Sequence, residues 1–289
     1  MKHCIIMSAY KDVEMINQII DRTPVNWGIY IHIDKKSSIS DKDITPRANV
    51  YKVKSIYWGG KEHLEAILLL LNKALQHNQN YDYYHIITGQ DFYSTPIEEF
   101  DHILGNEQSI YIEHFTLPRK NWWNGGYDIL KYRTLASICD IRRPIPRKLN
   151  HILYVIQKKF KLTRKLPKYP LYGGSIYCSL TQEAVVEVLY SPIAKDLQSR
   201  INNTTCSEEI YFQTILMNSN LKNKIRNTNL RYIDWNVKDA PKFLNLDDYQ
   251  AIRNSHTLFC RKVDSKISQG LLNKLLEEDL ISNKYINKI

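Results

Sequence analysis

The chain has no C-x-x-C pair. Its five cysteines, Cys4, Cys139, Cys178, Cys206 and Cys260, are odd in number and widely spaced, which argues against a disulfide framework or a structural zinc site and for a reducing compartment. No window approaches the ~20 apolar residues of a membrane span, and the apolar run of MKHCIIMSAY is too short for a signal-peptide core. A cytoplasmic protein is expected. No G-x-G-x-x-G follows the first apolar run, where SAYKD stands, and no G-x-x-x-x-G-K-[ST] occurs anywhere. Dinucleotide-dependent and P-loop chemistry therefore lose most of their case. One Asp-x-Asp triplet, a common way to hold a divalent metal, is present as Asp41-Lys42-Asp43. It lies in a polar loop with a lysine between the carboxylates, the setting of a solvated turn, whereas a hard cation wants several oxygen ligands.

What is present suits one α/β domain over residues 1–289. The 289 residues, 43% of them hydrophobic, suffice for a proper core. HCIIMSAY reads as a buried strand, DVEMINQIIDRT as an amphipathic helix and WGIYIHID as a second strand ending at Asp34. NVYKVKSIYWGG reads as a strand running into a Gly-Gly turn, KEHLEAILLLLNKALQH as a helix and YDYYHIITGQD as a further strand. Alternating strands and helices predict a mostly parallel sheet whose ligands gather at the carboxyl ends of the strands. Asp34, Trp58-Gly59-Gly60 and Asp91 are predicted to meet there in one crevice.

The net charge of +10 is unevenly spread: residues 142–168 carry ten Lys or Arg and no Asp or Glu. Within this segment Leu149, Ile152, Leu153, Ile156 and Phe160 recur at helical spacing. A basic amphipathic insertion of this kind suits an anionic membrane surface, each cation contributing about 1 kcal/mol. The same pattern also fits nucleic acid or a solvated insertion; peripheral membrane contact without nucleic acid is the reading adopted.

Several blocks together resemble a known family. IHIDKKS (31–37), YWGG (57–60), ITGQDFYSTPIEEF (87–100), GGSIYCSLTQEAV (173–185), SEEIYFQTIL (207–216), LRYIDW (230–235) and LFCRKVD (258–264) stand in the order found in the core-2/I-branching β-1,6-N-acetylglucosaminyltransferases and peptide O-xylosyltransferases. The resemblance implies a GT-A-type nucleotide-sugar transferase fold, inverting chemistry, a UDP-sugar donor and no divalent metal. It implies Glu209 as the base, at the start of a helix with Thr or Ser as N-cap, and Lys262 with Arg261 as cations for the leaving diphosphate. Lys242 and Arg231 offer a further cation. Ser8, Tyr10, Asp34 and Trp58 are expected in the donor pocket. Asp91 is expected to fix sugar hydroxyls or to shape its turn, and Glu113, Trp123, Lys131 and Arg133 fall where the family recognises acceptor. The expected activity is transfer of N-acetylglucosamine, β-linked, to a glycan or lipid-linked oligosaccharide in bacterial surface polysaccharide synthesis, at the inner face of the cell membrane. A non-catalytic carbohydrate- or nucleic-acid-binding protein on the same fold is the alternative.

Overall fold

The structure is a computed structural model that describes residues 1–77, 80–122, 125–236 and 240–286, with side chains described as far as residue 277. Its strands are β1 (His3–Ala9), β2 (Gly28–Ile33), β3 (Asn49–Tyr51), β4 (Tyr83–Thr88), β5 (Asp91–Tyr93), β6 (Ile110–Ile112), β7 (Phe115–Thr116), β8 (Tyr172–Gly173), β9 (Cys178–Thr181), β10 (Ile225–Arg226), β11 (Arg231–Ile233) and β12 (Phe259–Arg261). The helices are α1 (Val13–Arg22), α2 (Lys61–Gln76), α3 (Phe100–Leu104), α4 (Tyr127–Lys131), α5 (Pro144–Lys159), α6 (Gln182–Tyr190), α7 (Pro192–Arg200), α8 (Glu208–Met217), α9 (Tyr249–Asn254) and α10 (Gln269–Ile286).

Seven strands pair in the order β10-β6-β9-β4-β1-β2-β3. All run parallel except β9, which is antiparallel to β4 and β6. This is the mostly parallel α/β sheet that the sequence predicts. The continuous apolar run of β1 has a simple cause: every residue of the strand is buried. Cys4 and Ile6 face a core shared with α2, α6 and α8, whereas Ile5, Met7 and Ala9 face one shared with α1 and α10. A strand covered on both faces has no polar side to alternate with.

Helix α1 starts because Asp12 accepts a hydrogen bond from the Met15 N–H, and it buries Met15, Ile16, Ile19 and Ile20. Burying each such side chain is worth ~1.5–3 kcal/mol. The other carboxylate oxygen of Asp12 accepts from Ser265 N–H at 2.9 Å, tying the loop after β1 to the segment after β12. Since β2 and β3 lie on one side of β1 and β4 on the other, the chain reverses its direction of travel between β1 and β4. Ser8 pairs with Thr88 there, and the two loops that follow splay into a crevice. The predicted third strand is shorter than its apolar pattern: only residues 49–51 form ladder bonds, and beyond them Lys54 N–H donates to His32 Nε2 instead.

A second sheet, β11-β12-β5, caps this end. Its antiparallel register sets Asp91 opposite Arg261. Beneath it runs a buried polar chain: His3 Nδ1 lies 3.0 Å from His85 Nε2, and His85 Nδ1 lies 2.8 Å from Ser179 Oγ. Arg231 donates to that same oxygen and to the carbonyls of Ile86 and Cys178.

Burial lowers the pKa of His3, and that of His85 well below the ordinary value. The unfolded chain titrates these groups near 6.5. Below that pH it takes up protons that the folded chain refuses, so stability is complete above about pH 6.5 and falls as acid is added. The melting midpoint is expected to drop between pH 7.5 and 5.5 by roughly 3 °C for each kcal/mol lost, with a shallower dependence in His85→Gln. A midpoint constant across that range would count against the buried neutral pair.

Candidate active site

At the carboxyl end of β1, Ser8 is nearly buried while Tyr10 projects into solvent. Asp34 ends β2. Its carboxylate accepts from the Lys36 backbone N–H and ammonium and from Ile56 N–H, so it closes its own turn. Trp58 is half exposed, with the Arg142 guanidinium 5.6 Å from its ring centre. The turn carrying it requires glycine at Gly59, where φ is +72° and a Cβ would stand 2.9 Å from Thr205 Cγ2. Cys206 N–H donates to the Gly59 carbonyl at 2.8 Å. The Trp58 turn is thereby docked against the residues that open α8.

Glu208 and Glu209 form the first turn of α8. Ser207 occupies the N-cap position as expected, but its hydroxyl is buried and makes no capping bond. A helix N-terminus favours the ionised carboxylate. Glu209 nevertheless has its pKa raised to about 8, because burial and then the charge of Glu208 disfavour ionisation. Glu208 is itself held: His63 Nδ1 lies 3.5 Å from its Oε1, and His63 Nε2 lies 3.0 Å from Ser8 Oγ. A continuous polar chain thus runs from the end of β1 through α2 to the start of α8.

The cations sort themselves by burial. Lys262 is half exposed and has no side-chain hydrogen bond or ion pair among the described residues. Its pKa is lowered by partial burial and then by Arg261, Lys11 and Arg142, which marks an electropositive mouth where an anion would relieve repulsion. Lys11 reaches Asp264 at 3.6 Å, and Arg142 pairs with Asp140 while remaining largely exposed. Three expectations need correction, and of the two readings of Asp91 the turn is the one that the geometry favours. Arg261 is buried over the Tyr177 ring, 3.8 Å from its centre, so it does not reach out to a diphosphate. Asp91 is completely buried, its Oδ2 accepting from Thr88 N–H and its Oδ1 lying 3.7 Å from Arg261 Nε. It is a turn residue and counter-ion, with no surface for a sugar hydroxyl. Lys242 donates to Asp248 at 2.8 Å, and Arg231 is pinned inside the sheet, so neither is free to serve as the further cation.

Of the residues expected at the acceptor, Glu113 is exposed just after β6, with Asn229 Nδ2 3.5 Å from its Oε2. Gly174 sits between this residue and Glu209. Its N–H donates to the Glu209 carbonyl at 2.9 Å, and a Cβ on it would come 2.0 Å from the Glu113 carbonyl oxygen. No other residue fits there. Lys131 lies beside the Tyr132 ring, and Arg133 is exposed and lines a cavity against α5. Trp123 lies outside the described residues. Asp41 and Asp43 stay in a surface turn, where Asp43 accepts from Ser40. Among the described residues no three His, Cys, Asp or Glu side chains gather as a cation site.

With this geometry in place, the family model described as Core-2/I-Branching enzyme matches residues 5–257. The chain belongs to the Core-2/I-Branching enzyme family. It is a UDP-sugar-dependent glycosyltransferase. A solved structure of mouse xyloside xylosyltransferase 1, apo form, is similar over 90% of this chain and 97% of its own, at 11% identity and a TM-score of 0.36. No curated protein matches.

Three residues of this branching-family transferase escape sequence reasoning. His63 sits three residues after the Gly-Gly turn, in the first turn of α2, and only tertiary packing reveals that it faces Ser8 and Glu208. Lys11 follows Tyr10 in the loop after β1. Arg142 reads as the first charge of the basic segment, yet it stands over Trp58 at the crevice.

If Glu209 must be ionised to act, the acid limb of kcat/KM is expected near pH 8. Glu208→Gln removes the neighbouring charge and should move that limb to lower pH. A limb that stays put in the variant would separate Glu208 from the basicity of Glu209.

Proposed function

We propose that this enzyme moves a sugar, N-acetylglucosamine in β linkage, from UDP to a hydroxyl of a glycan or lipid-linked oligosaccharide acceptor, with inversion and without a divalent metal. The observation that carries the reading is Glu209, a partly buried carboxylate at the rigid start of α8 with its pKa raised to about 8. A base is most effective when its pKa lies near the working pH. The acceptor oxygen attacks the anomeric carbon from the face opposite the diphosphate, and its proton passes to Glu209. The bond from the anomeric carbon to the diphosphate oxygen breaks and leaves its electron pair on UDP. Lys262, with Lys11 and Arg142 beside it, meets that growing charge. A non-catalytic binding protein has no need of a carboxylate made basic by burial.

The test is UDP release from a panel of UDP-sugars in EDTA. One donor should turn over, unaffected by chelator. Glu209→Gln is expected to lower the rate by ~10²–10⁴-fold, and Lys262→Ala by ~10²–10³-fold. Strict dependence on added manganese, or full activity in Glu209→Gln, would overturn the mechanism.

Helix α5 supports placement on a membrane within bacterial surface polysaccharide synthesis, at the cytoplasmic face. No helix among the described residues is long and apolar enough to cross a bilayer. The amphipathicity of α5 is turned outward: Ile145, Leu149, Ile152, Val155, Ile156 and Phe160 are exposed, while Gln157 is its buried residue. Arg143, Lys148, Lys158, Lys159 and Lys161 surround that apolar face and are exposed as well. Such a surface fits anionic lipid. Sedimentation with phosphatidylglycerol vesicles in low salt is expected to retain the wild type and to release Ile152→Asp/Phe160→Asp. Equal retention of both would exclude this face as the contact.

A further inference from the structure

A cavity of about 510 Å³ lies between α5 and the segment from α4 to Thr134, and it opens beside the crevice. That volume lies within the range of small-molecule sites. Its walls are held by polar bonds that order both sides. Gln157 Oε1 accepts from Arg133 N–H and Gln157 Nε2 donates to the Arg133 carbonyl, both at 2.9 Å. Asn150 Oδ1 accepts from Leu135 N–H, and Tyr154 Oη donates to Asp128. The charge within is lopsided: Arg142 is paired with Asp140, and Arg133 and Arg147 stand against the single lining carboxylate of Asp128, which Tyr154 already occupies. Neither Arg133 nor Arg147 has a carboxylate partner among the described residues.

The cavity also has a direction. At one end Trp58 and Thr205 line it, and Thr205 lies four residues before Glu209. Along its outer wall, α5 presents the exposed apolar side chains Ile145, Leu149 and Ile152. A ligand that matches all three properties has a sugar, a strongly anionic linkage and a long apolar tail, in that order. We infer that this cavity binds the phosphate or diphosphate of a lipid-linked sugar acceptor. Arg133 and Arg147 grip the anion, the lipid chain runs along α5, and the terminal sugar points past Trp58 toward the base. Guanidinium groups suit this work because they pair bidentately with phosphate oxygens. The inference rests on the transferase reading above and names the acceptor class for it.

The test titrates the full chain with farnesyl diphosphate, inorganic pyrophosphate and UDP, each followed by calorimetry. Farnesyl diphosphate is expected to bind with UDP already saturating, and at least tenfold more tightly than pyrophosphate. Arg147→Glu should weaken farnesyl diphosphate by about tenfold or more, the scale of one charge-assisted contact, and leave UDP affinity within twofold, which also shows that the variant folds. Displacement of UDP by farnesyl diphosphate would place the diphosphate in the donor site and overturn the inference. So would equal affinity for pyrophosphate, or unchanged affinity in Arg147→Glu. In those cases intact UDP binding would leave the transferase reading standing; loss of UDP binding in the wild type would remove that reading first.

Discussion

The pairing of Asp91 with Arg261 orders the crevice end of this molecule. Two three-residue strands, β5 and β12, meet antiparallel and set these charges opposite each other in the interior. Stripping one partner from a buried pair leaves an uncompensated charge at a cost of ~3–5 kcal/mol, so each residue holds the other in place. Tyr177 covers the guanidinium from one side. With Arg261 turned inward and Val263 buried, Lys262 between them is the residue left at the surface of the crevice. The segment after it is tied by Ser265 to Asp12, which brings Lys11 alongside. A buried pair thus fixes the position of the cations that line the crevice.

Electrostatics then divides the crevice into two parts. Around α8, burial and the adjacent Glu208 make Glu209 a better proton acceptor than a free carboxylate. Around β12, partial burial and then like charges make the Lys262 ammonium less comfortable than in water. The two deviations are opposite in kind: one would be relieved by a proton, the other by an anion. Separating groups whose environments push them in opposite directions is how one fold assigns acid, base and anion-binding roles.

The fold was largely legible in the sequence because its signals are local. The apolar run of β1, the periodicity of α2 and the strand-end position of Asp34 each follow from neighbours within a few residues. The position of Glu209 at a helix start was legible too, since Ser207 and the run that follows mark it. Partner choice was not. Nothing in GQDF tells that Asp91 points inward, because its partner lies 170 positions away in the chain. Lys242 is an unremarkable lysine until Asp248 is brought to 2.8 Å. Arg142 belongs by composition to the basic segment and by position to the crevice, and only the packing of α5 separates the two. His63 went unread for the same reason: its neighbours Ser8 and Glu208 come from opposite ends of the sheet's wiring.

Helix α5 carries a consequence of its own. Surface helices of this composition commonly gain their structure only on contact, and part of the binding free energy then goes into ordering the chain. Here Gln157, Asn150 and Tyr154 hold the helix against the body through polar bonds, with its oily side chains already arrayed outward. Whatever apolar surface meets that face finds a preformed plane. Adhesion loses little to folding, and the body of the protein is oriented at the moment of contact.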